Sequence, residues 1–181
     1  MSLGKFWCYY RSMKKIFSRN GFTLIEVLVV ISIIGILSTI LYASFGDARI
    51  QARNKALRAE VKETQLALEL YKSQNGAYPV NQTEYESNLT PDFIADLPDE
   101  DKSANSDCLI EYDGEVGGSW YKLTAVKCIG GDEVVSPNDV MARCPSSCSA
   151  TCGGVNITSG YLASDEFTKS FAVFSAGGQC Q

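Results

Sequence analysis

Glu26 is the one acid in an otherwise apolar run, G-F-T-L-I-E-V-L-V-V-I-S-I-I-G-I-L-S-T-I-L-Y-A-S-F from Gly21 to Phe45, which contains no Pro, Lys or Arg. A carboxylate inside a hydrocarbon layer costs about 2.5–3.5 kcal/mol at mid-membrane and less near an interface, so it needs a partner. The nearest cation would be the α-amino group of Phe22, freed by a cut after Gly21. Four residues is about one helical turn, which lets Glu26 meet that amine in its own chain or in a staggered neighbouring copy. A second set of chemical groups lies far downstream. Of the seven cysteines, Cys8 precedes the apolar run, and Cys108, Cys128, Cys144, Cys148, Cys152 and Cys180 all follow it. An even set confined to one side of a membrane-length segment points to disulfides in an oxidising space, and six cysteines allow 15 connectivities among which sequence does not choose. Cys144, Cys148 and Cys152 recur every four residues, which on a helix would align three thiols. Zinc sites more often use C-x2-C pairs or His, and the chain has no His, so disulfides are the better reading.

These groups need elements to hold them. About 20 apolar residues suffice to cross a hydrocarbon core of roughly 30 Å as one helix. Beyond it the pattern becomes amphipathic: Ile50, Asn54, Leu57, Val61, Thr64, Leu68 and Tyr71 alternate steps of four and three, while Arg53, Lys55, Arg58, Glu60, Lys62, Glu63 and Glu69 occupy the rest of the circumference. No Gly or Pro interrupts Asp47 to Asn75, so one helix is expected from Phe22 to about Asn75, roughly 80 Å long at 1.5 Å per residue. Asn75-Gly76 supplies a left-handed C-cap, and Pro79 stops continuation. Residues 81–98 read as a loop with one short helix. Cys108–Tyr112 and Trp120–Cys128 read as a hairpin around D-G-E-V-G-G-S, with Tyr121, Leu123 and Ala125 alternating against Lys122, Thr124 and Val126. Phe171–Ser175 is a third strand candidate, and residues 129–165 form a Gly-, Ser- and Cys-rich stretch that needs staples. The expected fold is α+β: a long N-terminal helix packed on a small antiparallel sheet, with a disulfide-rich C-terminal region.

Charge separates the chain in the same places. Residues 1–21 carry Lys5, Arg11, Lys14, Lys15 and Arg19 and no acid; five positive charges there, against −5 for the whole chain, leave −10 for the rest. A basic flank before the span and an acidic body after it predict a cytoplasmic N-terminus and an exported body. An acidic body also argues against direct nucleic-acid binding. Catalysis finds no support: zero His removes the commonest general base, and neither a P-loop nor a dinucleotide-binding glycine pattern occurs.

A short basic leader, Gly21, Phe22, Thr23-Leu24-Ile25, Glu26 and the apolar helix in fixed register resemble the N-terminal signal of type IV pilins and of the pseudopilins of type II secretion and competence systems. The stretch A-L-E-L-Y-K-S-Q-N-G-A-Y-P is similar to a helix end in the same proteins, so the resemblance extends over residues 14–79. It implies cleavage after Gly21 by a membrane prepilin peptidase, methylation of the Phe22 amine, and assembly through Glu26. The implied organisation is a leader over 1–21, a transmembrane and polymerisation helix over 22–46, an amphipathic continuation over 47–75 and an exported head over 76–181. The chain departs from many relatives in lacking a Pro between Leu41 and Phe45; Gly35 is the remaining weak point of that helix.

The function these features imply is that of a filament subunit held in membrane lipid before assembly. Its partners would be further copies of itself, the prepilin peptidase and an inner-membrane assembly platform, and it would end in an extracellular or periplasmic filament. A secretion or competence pseudopilin is the alternative, and a monomeric membrane-anchored adhesin or receptor with a Cys-rich head is a second. No cofactor is expected. Some relatives carry a calcium loop, and the oxygen donors here would be Asp99, Glu100, Asp101, Asp107 and Asp113, although the family's loop motif is not recognisable around them and a solvated acidic loop is the better reading.

Overall fold

In the computed structural model, residues 21–148, 151, 152, 155, 156 and 165–181 are described; the basic leader up to Asn20, with Cys8, lies outside them. The chain divides into two units, residues 1–42 and 43–181. Helix α1 runs Leu24–Asn75, 52 residues, and passes through Gly35 without a break. Near Gly35 the hydroxyls of Ser32, Ser38 and Thr39 donate to the carbonyls of Leu28, Ile34 and Ile36, which satisfies them within the helix itself. Its end follows from the expected cap. Gly76 has φ 84° and its N–H donates to the Lys72 carbonyl at 2.7 Å, a backbone conformation that Gly adopts without a Cβ penalty.

Within the second unit, the four-and-three stripe of α1 is the buried face: Asn54, Leu57, Val61, Thr64 and Leu68 are buried, and Ile50 and Tyr71 are half-buried at its ends. Helix α2 (Gln82–Leu89) is the short helix anticipated after Pro79. Asn81 caps it by accepting from the Glu84 N–H at 3.0 Å, while Glu84 accepts in return from the Val80 N–H at 3.1 Å. Tyr85 and Leu89 on α2 enter the core.

Strands β1 (Leu109–Gly114) and β2 (Tyr121–Val126) form the antiparallel hairpin, in register from Leu109 opposite Val126 to Gly114 opposite Tyr121. Gly118, φ 63°, closes the turn where its carbonyl accepts from the Tyr78 N–H, and a Cβ there would lie 2.7 Å from the Ala77 Cβ. Two further short strands, β3 (Thr151–Cys152) and β4 (Val155–Asn156), pair with each other. A short helix, α3 (Asp165–Thr168), precedes β5 (Phe171–Phe174), which adds to the free edge of β2 to give the order β1-β2-β5. The core contains Tyr78, Tyr85, Tyr112 and Tyr121, with successive ring centroids 4.6, 6.1 and 4.7 Å apart along Tyr78–Tyr121–Tyr112–Tyr85.

The alternation read along β2 corrects to full burial. All six residues from Tyr121 to Val126 are buried, because β2 is the central strand and its second face, carrying Lys122, is met by the C-terminal segment. The four-residue spacing of Cys144, Cys148 and Cys152 does not lie on a helix either. Three disulfides instead join Cys108 to Cys128, Cys144 to Cys152 and Cys148 to Cys180.

Candidate functional site

The N-terminal end of α1 begins with two residues outside the helix, Gly21 and Phe22, and Phe22 is 86% exposed. Thr23 caps the helix and Glu26 answers it. The Glu26 Oε2 accepts from the Thr23 N–H at 2.8 Å and from the Thr23 Oγ1 at 2.7 Å, and the Glu26 N–H donates back to the Thr23 Oγ1 at 3.3 Å. This reciprocal exchange is a capping box, in which an acid three residues into a helix satisfies the backbone donor of the cap. Sequence reading left Glu26 without a partner inside the run and missed Thr23. The signal was present, because T-L-I-E is the T-x-x-E pattern of that motif.

Around this cap the helix is apolar on every side. An 18-residue stretch of α1 has mean hydropathy 2.7 with none of it buried, so α1 is long and apolar enough to cross a membrane. Phe22, Ile25, Val29 and Val30 line a shallow cleft around Glu26. Further along, on the side away from the buried stripe, Ala52, Ala59 and Leu66 recur every seven residues and are exposed, with Leu70 a turn beyond Leu66. Sequence reading counted that side as charged and missed its apolar strip, which a seven-residue count would have found.

The acidic candidates do not converge on a cation. Asp99 Oδ1 accepts from the Asp101 N–H at 3.0 Å while its Oδ2 lies 3.7 Å from the Lys102 ammonium. Glu100 accepts from the Ile110 N–H at 2.6 Å, and Asp113 sits across the sheet from Lys122. Asp107 is an exposed turn residue whose N–H donates to the Asn105 side chain at 3.2 Å. Among the described residues, no group of three or more His, Cys, Asp or Glu side chains is arranged to hold a metal ion.

Residues 16–42 match the family model described as the prokaryotic N-terminal methylation motif. The type IV wide pilus major component PilA4 of Thermus thermophilus is 31% identical over 135 residues, covering 70% of this chain and 97% of that relative. The type II secretion system core protein G of Pseudomonas aeruginosa is 38% identical over 64 residues, 35% of this chain and 45% of that protein. The protein of the same description from Vibrio cholerae is 32% identical over 78 residues, 43% of this chain and 53% of its own length. No solved structure matches the chain. The residues that match the motif model run through Gly21, Phe22 and Glu26, and the match to a whole pilin covers 97% of that relative: the chain belongs to the family of type IV pilins and type II secretion pseudopilins.

Proposed function

We propose that this chain is a structural subunit of a type IV pilus or pilus-like filament, made as a prepilin in the cytoplasmic membrane with its head outside. It is cut after Gly21 by a prepilin peptidase, methylated on the Phe22 amine and handed by an inner-membrane platform to a filament in which the apolar halves of α1 pack together. The observation that carries this reading is the start of α1: an 18-residue stretch apolar enough to cross a membrane, none of it buried, marked by a single carboxylate at its beginning. Such a surface is stable in lipid, and on leaving lipid it is stable only against copies of itself. The exposed strip of Ala52, Ala59, Leu66 and Leu70 in the second unit is a further apolar surface open to a neighbouring copy.

Glu26 supplies register. In the uncut chain its carboxylate is held by Thr23; once cleavage frees the Phe22 amine, a cation becomes available to it, and in a dry filament core an unpaired carboxylate is strongly disfavoured. A subunit that fails to bring Glu26 to an amine therefore does not dock. A pilus is favoured over a secretion pseudopilus because the similarity to the wide-pilus component spans 97% of that relative, whereas the similarity to protein G spans 45% and 53%.

Two measurements test the proposal. The intact mass of membrane-extracted protein is expected to correspond to residues 22–181 plus one methyl group; retention of residues 1–21 in cells with an active peptidase would overturn it. Glu26→Val is expected to be inserted and cleaved normally while sheared filaments disappear. Wild-type filament yield from that variant would refute the pairing role, and a head that is monomeric under all conditions would favour the anchored adhesin.

A further inference from the structure

Lys122 is buried in the central strand, 2% exposed. Its Nζ lies 3.4 Å from Cys152 Sγ and donates to the main-chain oxygens of Gln179, at 3.4 Å, and Gln181. Those two oxygens flank Cys180, so the same cation touches one half of the Cys144–Cys152 disulfide and the backbone on either side of the Cys180 half of the other. Of the charged groups around it, Asp113 faces it from β1 and Arg143 acts on it from the loop before Cys144.

The pairing near this cation is not the one that chain entropy prefers. Cys148 is four residues from both Cys144 and Cys152, yet the disulfides close separations of 8 and 32 residues. Loop closure becomes more costly with length, so chain entropy does not favour the observed pairing, and contacts made on folding select it.

We propose that Lys122 is the positioning residue that selects this pairing, by holding Cys152 as a thiolate and fixing the turn around Cys180 while the four thiols are oxidised. A low-molecular-weight disulfide, RSSR, first exchanges with Cys144, forming the Cys144–SR mixed disulfide and releasing one thiolate. The Cys152 thiolate, stabilised by the Lys122 ammonium, attacks Cys144 Sγ; the S–S bond to R breaks, and the second RS⁻ takes up the proton that Cys152 had lost. Two protein thiols and RSSR thus become one disulfide and two RSH, and Lys122 stays protonated throughout. Cys148 is left for Cys180, whose turn is tied to the same ammonium. This role is independent of filament formation.

The full chain in detergent is reduced and denatured, then reoxidised in a mixture of oxidised and reduced glutathione, and its disulfides are mapped by peptide mass spectrometry. The wild type is expected to return to Cys144–Cys152 and Cys148–Cys180, Lys122→Met to give mixtures dominated by the four-residue loops, and Lys122→Arg to restore the native pairs. Native pairing in Lys122→Met at the wild-type fraction would overturn the proposal. A second measurement covers the case in which Lys122→Met does not fold. In Cys144→Ser, which leaves Cys152 free, the pH profile of its alkylation is expected to report a thiol pKa below the ordinary value of about 8.5, because a neighbouring ammonium stabilises the thiolate. Burial alone would push that pKa up, so an ordinary or raised value would also overturn it.

Discussion

Thr23 and Glu26 show how one hydrogen-bonded pair sets where α1 begins. With its hydroxyl and N–H both used by Glu26, Thr23 leaves Gly21 and Phe22, where the proposed cut falls, outside the helix. Thr23→Val keeps the shape and removes the hydroxyl. We expect the helix start to fray and the variant to be cut at a different rate from wild type, read by the mass of the membrane-bound chain over time; an unchanged rate would mean that the cap has no part in processing. Lys122 carries a second residue-scale consequence. Burial pushes its ammonium down to about 8 from 10.5, Arg143 adds to the fall and Asp113 opposes it. Between those two values the unfolded chain holds more protons than the folded one, so this group makes the head more stable as pH rises from about 8 to 10.5. Urea midpoints of the wild-type head are expected to rise between pH 8 and about 10, and a flat profile over that window would show that the ammonium keeps its proton in the folded head.

At the scale of elements, the polar break in the α1 stripe is a docking point. Asn54 is buried, its Oδ1 accepts from the Gly130 N–H at 3.0 Å, and its Nδ2 donates to the Gly130 carbonyl at 3.1 Å and to Glu133 at 2.8 Å. Arg58, one turn on, holds Glu133 at 3.1 Å and Asp139 at 3.3 Å, and its guanidinium lies over the Phe171 ring. The loop after β2 is therefore fixed to the helix through its own backbone. Asn54→Leu suits the apolar stripe yet orphans both polar groups of Gly130, each costing about 1–3 kcal/mol when buried unpaired. The expected result is a fall in the urea midpoint of the head with helix content retained in circular dichroism. A variant as stable as wild type would show that water replaces the amide.

At the scale of the head, the tyrosines set an alkaline limit. Burial, then the hydrogen bond to Glu69, pushes Tyr78 up to about 12, and burial likewise raises Tyr85, Tyr112 and Tyr121. A phenol whose folded pKa lies above its unfolded value of 10 contributes stability that is full below pH 10 and is lost as pH rises through the folded value. Thermal melting of the head is expected to hold up to about pH 10 and to fall steeply beyond it, with phenolate absorbance appearing together with unfolding. Phenolate absorbance well below the unfolding transition would mean that the ring cluster opens locally.

The sequence by itself determined the elements whose signals are local. A run without Pro, Lys or Arg from Phe22 to Phe45, a four-and-three stripe from Ile50 to Tyr71, the Asn75-Gly76 cap and a hairpin around Gly117-Gly118 each depend on residues near one another in the chain, where helix period, strand alternation and turn chemistry are decided. The T-x-x-E cap is equally local, although the cost of a carboxylate in an apolar run draws the eye to the charge of Glu26 rather than to its capping role. Tertiary structure alone decided the rest: which of 15 connectivities the cysteines adopt, that β2 is central and buried on both faces, and that Lys122, Cys152 and the turn at Cys180 meet. Apart from Cys144–Cys152, 8 positions apart, those outcomes depend on contacts between residues 20 to 59 positions apart, and local propensity carries no information about such contacts until the core that brings them together has formed.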